Sequence, residues 1–206
     1  MKLAILGASG HGKVVADTAL QAGWQEVVFF DDAWPQLTEI GAWPVVGDSR
    51  ALLETANTFD GVIVGIGNNA IRLAKTRELI DARAPIVTII HPSAVVSPMA
   101  RLCAGCVVFA GAIVQIDSRL GHACIVNTHA SVDHDCVLED GVHICPGANL
   151  AGLVHVGEVS WVGIGASLKQ LIRIGRDVVV GAGAAVVEDV ADSDAVVGVP
   201  ARSIAQ

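Results

Sequence analysis

From Ile90 onward the chain repeats every six residues. Stepping by six from Ile90 through Val96, Leu102 and Val108 to Val186, all seventeen positions are Leu, Ile or Val. Four residues after each aliphatic stands a second, mostly small residue, as at Ala94, Ala100, Cys106, Ala112, Ser118, Cys124, Ala130 and Cys136. A hexapeptide with one branched aliphatic and one small residue is the signature of a parallel β-helix, where short strands stack coil on coil and corners form at the small positions. Three hexapeptides make a triangular coil, so residues eighteen apart should lie above one another. The unbroken register leaves no room for a long loop between coils and fails at Asp192.

Upstream the period changes. "KLAIL" reads as a buried strand, "GASGHG" as a glycine turn and "KVVADTALQAGW" as a helix. "EVVFFDD" is a second strand ending in acids, "DGVIVGIGNN" another, and "IRLAKTRELIDAR" a further helix before "PIVTII". Strand alternating with helix predicts a parallel α/β sheet whose ligand lies at the carboxyl ends of the strands. Two domains follow, a Rossmann-like half domain over 1–88 and a β-helix over 89–206.

Gly7, Gly10 and Gly12 space as GxxGxG, unlike the dinucleotide GxGxxG, but they would serve a similar end: a backbone that approaches phosphate oxygens at a helix N-terminus. Asp31 and Asp32 stand about twenty residues beyond the turn, where a ribose or base partner is expected. The plainer alternative is a tight βα turn followed by a solvated acidic turn. There is room for only one βαβ half before the hexapeptides begin, which favours a mononucleotide group. Arg72, just after "GIGNNAI", could meet a phosphate or be a solvated helix residue.

The net charge of −8, with 13 Lys and Arg and no basic cluster, argues against nucleic acid as partner. The chain is 52% hydrophobic and 17% charged, yet lacks an apolar run long enough to span a bilayer, so no membrane insertion is expected. "MKLAILGASG" is too short and glycine-rich for a signal peptide, giving a cytoplasmic expectation. Five cysteines, an odd count, disfavour a disulfide framework. "CAGC" at 103–106 is a weak metal signal, and the cysteines follow the phases of the repeat instead.

One polar stretch interrupts the small apolar coils: "NTHASVDHDC", Asn127 to Cys136. Here Asp133, His134 and Asp135 could be a base with its orienting carboxylate, part of a metal site, or a polar corner. Together with the "GASGHG" turn, the acidic pair after strand two, "IGNN" with an arginine shortly after, and hexapeptides ending in "GVPAR", it resembles the NeuD/PglD-type sugar acyltransferases. These belong to the left-handed β-helix hexapeptide-repeat transferases, and the resemblance covers essentially the whole chain.

The resemblance implies an N-acetyltransferase that uses acetyl-CoA as co-substrate and acetylates the 4-amino group of a nucleotide-linked amino-dideoxy sugar, UDP-linked before GDP- or dTDP-linked, in glycan biosynthesis. It implies a left-handed helix and a homotrimer with active sites between subunits. Residue by residue, it nominates His134 as general base with Asp135 as its acid, Asp133 being able to share that role. Ser9, Gly10, His11, Asp31, Asp32, Gly67 and Arg72 become nucleotide-sugar contacts, and His143, Gly152 and Ile164 acetyl-CoA contacts. No metal is implied. Rival readings are O-acetylation of a sialic acid, a hexapeptide-repeat zinc carbonic anhydrase using His129 and His134, and a nucleotide-binding scaffold without catalysis.

Overall fold

A computed structural model describes residues 1–204 and divides the chain into two compact units, Met1–His91 and a second beginning at Pro92. The first is a five-stranded sheet in the order β3-β4-β2-β1-β5. Its strands are β1 (Lys2–Leu6), β2 (Glu26–Phe30), β3 (Glu39–Ile40), β4 (Trp43–Gly47) and β5 (Gly61–Val64). All neighbours are parallel except the β3–β4 pair. The unit also holds helices α1 (Gly10–Gln21), α2 (Ser49–Thr55) and α3 (Asn69–Asp81), with a 3-10 turn over Ala56–Thr58. β1 lies between β2 and β5, so the chain reverses direction across the sheet there, and the loops after these three strands frame the crevice where open α/β sheets take ligands.

The β3–β4 hairpin and α2 are elements the hydrophobic pattern did not announce. In the seven-residue α2 only Leu52 is buried, so it offers no periodic stripe. Its start is instead set by Asp48, whose side chain accepts the Ala51 N–H at 2.8 Å.

In the second unit, two-residue strands pair in parallel with a register of eighteen, as in Ile113↔Ser131↔Asn149 and Val114↔Val132↔Leu150. The aliphatic register points inward: every position of it from Val108 to Val186 is buried. Its first members differ, Ile90 being exposed and Val96 and Leu102 half-buried. After Val186 the spacing shortens: Ile174 bridges Val190 and Val180 pairs with Val196, so this coil is two residues shorter than the rest. The aliphatic interior continues through Val190 and Val196, which is why stepping by six fails at Asp192.

The corners obey the same period. From Gly105 to Gly183 every sixth residue has a positive φ. Glycine fills several of these places, but Asp117, Asp135, Leu153, Leu171 and others adopt the left-handed region at a cost of roughly 1–2 kcal/mol each. From Ala123 to Gly183 the amide of each such residue bonds to a carbonyl of the coil before, as Asp135 N–H does to that of Ile116 at 3.1 Å and Leu153 N–H to that of His134 at 3.0 Å. The residue that follows is mostly small because it points into the interior, and where it carries a donor it reaches a carbonyl of the next turn. Cys106, Cys124 and Cys136 bond in this way to the carbonyls of Gly121, Glu139 and Ala151, and Ser118 to that of Asp133 at 2.6 Å. All five cysteines are free thiols, and burial pushes those of Cys136 and Cys145 up to about 11 and about 12.

Ile144 sits in the middle of the stack with no exposed surface. Ile144→Ala should therefore lower unfolding free energy by about 2–5 kcal/mol, read as a fall in the urea midpoint. An unchanged midpoint would mean that the interior register does not carry the fold.

Candidate active site

The loops after β1, β2 and β5 enclose a cavity of about 310 Å³ lined by Gly7, Ser9, Asp31, Asp32, Ile66 and Lys75, among others. The glycines of its first loop divide their labour. A Cβ on Gly12 would strike the Gly7 carbonyl, and one on Gly7, whose φ is +112°, would strike Ile66. These two allow α1 to pack against the sheet. Gly10 faces open space, and Ser9 caps α1 with no side-chain bond to the helix. Ser9, the N-cap of α1, thus lines the cavity with an uncommitted hydroxyl at a helix N-terminus, an arrangement that suits an anion.

The acidic pair is equally divided. Asp31 accepts the Ala8 N–H at 2.7 Å on one oxygen and the Ala33 N–H at 2.9 Å on the other, tying the glycine loop to the end of β2. Asp32 accepts from the Ser49 amide at 2.9 Å, and bonding from the Ser49 side chain and backbone holds its carboxyl below the usual range. Asp32 therefore stays ionised at the cavity edge.

Arg72 does not stand where a phosphate contact requires. It lies on the buried stripe of α3 with Asn69, Leu73, Thr76 and Leu79, and only 1% of its surface is exposed. One terminal nitrogen donates to the carbonyls of Ile66 at 3.1 Å and Gly67 at 3.0 Å, the other to the Asn69 side chain at 2.9 Å. Both expectations for Arg72, phosphate ligand and solvated helix residue, are corrected: it fastens the β5–α3 loop from within. Gly67 contributes its carbonyl to that clamp. The cation that does line the cavity is Lys75, with Ile71 one turn earlier, and it is paired with Glu78 at 3.0 Å. A helical wheel places Ile71 and Lys75 on the face beside the Arg72 stripe. His11 is half-buried, and burial, then the Arg72 charge, push its imidazole down to about 4, so it is neutral at physiological pH.

In the second unit, "NTHASVDHDC" supplies two consecutive corners. His134 and Asp135 are the central residues of one turn, Asp135 taking the left-handed place at φ 59°. Asp135 Oδ2 lies 2.7 Å from His134 Nδ1, while Asp133 Oδ1 accepts the His134 backbone N–H at 2.8 Å. Asp135 is thus the ring's partner, and Asp133 braces the turn. The bond from Asp135, followed by smaller contributions from the nearby carboxylates, raises the His134 pKa above its ordinary value. Half of the imidazole is exposed.

Gly152 lies eighteen residues on, at the same corner. A Cβ there would come within 2.5 Å of His134 Cε1 and Nε2, so the ring rests on the bare backbone of the next coil. Ile164, 60% exposed, is the corresponding residue of a different corner. His143 belongs to a strand and is buried, its Nε2 3.0 Å from Asn127 Nδ2 and its ring edge-on to Trp161 at 4.3 Å. One chain therefore does not gather His143, Gly152 and Ile164 at one point. His129 turns the corner before that of His134 and packs over Gly111, so the two histidines do not converge within one chain.

The family model described as the PglD N-terminal domain matches residues 2–79. The acetyltransferase domain of PglB from Neisseria gonorrhoeae FA1090, solved with acetyl coenzyme A, is 43% identical over 98% of each chain, with a TM-score of 0.94. PerB from Caulobacter crescentus, solved with CoA and GDP-perosamine, is 39% identical over 100% of this chain and 98% of that one, with a TM-score of 0.94. A UDP-N-acetylbacillosamine N-acetyltransferase of Bacillus subtilis (strain 168) is 38% identical over 117 residues, 52% of this chain and 51% of that protein. The matched segments span about half the length of such curated relatives.

Because the Asp135 bond favours the charged ring, His134 should titrate above 6.5 in an NMR experiment, and Asp135→Asn should move its midpoint down towards that value. A midpoint unmoved by Asp135→Asn, with Asp133→Asn having the effect instead, would reverse the roles given to the two acids.

Proposed function

The chain belongs to the PglD-type family of hexapeptide-repeat sugar acetyltransferases, and on that premise we propose that it transfers an acetyl group from acetyl-CoA to the 4-amino group of a nucleotide-linked amino-dideoxy sugar. The observation that carries this reading is the His134–Asp135 bond beside a half-exposed ring. It has the geometry of a general base held in one tautomer by a carboxylate.

With Nδ1–H directed at Asp135, His134 Nε2 is the free acceptor. It takes a proton from the sugar amine as nitrogen attacks the thioester carbonyl, and Asp135 stabilises the imidazolium that forms. Collapse of the tetrahedral adduct breaks the carbon–sulfur bond, and His134 returns the proton to the departing thiolate. No covalent enzyme intermediate is required, in keeping with thiols that burial keeps protonated. The oxyanion would be met by a backbone amide.

The cavity of the first unit is the nucleotide site in this reading. The α1 amides and Ser9 face the phosphates, Lys75 supplies the cation, Asp32 accepts from ribose or base, and Asp31, Arg72, Gly67 and His11 shape the loops. UDP is the preferred carrier, as in the Bacillus relative's name, with GDP, as in the Caulobacter complex, and dTDP as alternatives. A homotrimer with acetyl-CoA between subunits is supported by exposed apolar side chains on and beside one face of the helix, Val95, Met99, Ile113 and Ile116. It would bring the Gly152 corner of one copy to the Ile164 corner of another and so supply the cofactor contacts that one chain leaves apart. The cytoplasm, where acetyl-CoA is available, is the setting this reading requires.

The test is thiol release from acetyl-CoA against UDP-, GDP- and dTDP-linked 4-amino-4,6-dideoxy sugars, with sialic acid as O-acceptor control. Release is expected with one nucleotide amino sugar, falling about 10²- to 10⁴-fold in His134→Ala. Gly152→Ala should lower kcat similarly by pushing the ring off its seat. Turnover with sialic acid alone, or undiminished turnover in His134→Ala, would overturn the reading.

A further inference from the structure

A neutral imidazole carries its proton on one nitrogen or the other, and the groups around the ring decide which. At His143 the deciding group is Asn127. Asn127 follows the strand Ile125–Val126, and His143 opens the next strand of the same sheet, directly above Ile125. The His143 ring is buried and edge-on to Trp161, and its Nε2 lies 3.0 Å from Asn127 Nδ2.

The orientation of the Asn127 side chain is set independently of the histidine. Its Oδ1 accepts the Thr128 backbone N–H at 2.8 Å, and the Thr128 hydroxyl stands 3.4 Å from the same oxygen. A backbone amide can only donate, so turning the side chain over would set N–H against N–H. The side-chain nitrogen therefore faces His143, and an amide nitrogen can only donate as well. Nε2 must accept, which places the proton of the neutral ring on Nδ1. A proton on Nε2 would oppose two N–H groups where no solvent can separate them.

His134 is held the other way round. There the carboxylate of Asp135 takes the Nδ1 side, and Nε2 is the nitrogen that serves the reaction. At His143 Nε2 is engaged by Asn127, so the ring can act on a ligand only as a donor, through Nδ1–H. A donor of that kind suits a carbonyl oxygen and does not suit the removal of a proton.

We propose that Asn127 is a positioning residue: it locks His143 in the Nδ1–H tautomer and so makes it a hydrogen-bond donor to a carbonyl oxygen of the acyl donor, not a second base. This rests on the acetyl-CoA reading above. The two histidines then divide the work, His134 accepting a proton and His143 holding a carbonyl.

The experiment is nitrogen-15 NMR of the full chain labelled at histidine, the His143 signals being those lost in His143→Gln. In the parent, Nδ1 should carry the proton and Nε2 none. Asn127→Ala should let the ring populate both tautomers, and Asn127→Asp, whose carboxylate only accepts, should draw a proton to Nε2, with the His134 pattern retained in both. Acetyl-CoA should shift the Nδ1–H signal of the parent, and Asn127→Ala should bind acetyl-CoA about tenfold more weakly, the effect of one hydrogen bond. A shift with coenzyme A as well assigns the carbonyl to a pantetheine amide, and a shift with acetyl-CoA alone assigns it to the thioester. A proton on Nε2 in the parent, a tautomer unchanged in both Asn127 variants, or acetyl-CoA bound with the Nδ1–H signal unmoved overturns the proposal while leaving the acetyl-CoA reading intact. No binding of acetyl-CoA by the parent overturns both.

Discussion

Every feature of the second unit depends on strands held in a register of eighteen by backbone bonds from coil to coil, such as Ile113 N–H to the Ala130 carbonyl. The register fixes which side chains point inward, where corners fall and what lies above what. It places a positive φ at every sixth residue and so decides which residues are tolerated there. It also stacks the His134 ring on Gly152. A shift of one residue would turn the aliphatic ladder outward and separate the ring from its seat.

The same constraint explains why the acid partner of His134 is the next residue. Asp135 occupies the left-handed corner, a conformation that aspartate and asparagine enter more readily than other non-glycine residues. A residue the corner accepts is also one whose carboxylate reaches back 2.7 Å to Nδ1. Fold and chemistry share a position, and the exposed ring gains a fixed tautomer from a partner already part of the turn. In the first unit the division is different: Gly7, Gly12, Asp31 and Arg72 are spent on building the loops, leaving Ser9, Asp32 and Lys75 at the cavity.

Much of this was legible in the sequence, for physical reasons that also mark its limits. The hexapeptide register could be read because interior packing and corner geometry repeat without interruption, and Cys106, Cys124 and Cys136 could be assigned to its corners. Glycine spacing located the turn of the first unit but not which glycines served packing, since that depends on where Ile66 and the Gly7 carbonyl lie. Arg72 was misplaced because a charge after a glycine loop resembles a ligand. Its place on the 69, 72, 73, 76 stripe of α3, visible in a helical wheel, was the signal that it is buried and that Lys75 is not. Asp133 and Asp135 could not be separated by spacing, only by which one meets the ring.

The central claim is that His134 acts as a base whose affinity for protons is set by Asp135. The direct measurement is the pH dependence of kcat/KM for acetyl transfer in the parent and in Asp135→Asn. A base with a raised pKa must lose its proton to work, so the rate should climb with pH through a midpoint above 6.5 and then level off. In Asp135→Asn the climb should move to lower pH and end on a lower plateau. An acid limb that stays in place when Asp135 is neutralised would contradict the account.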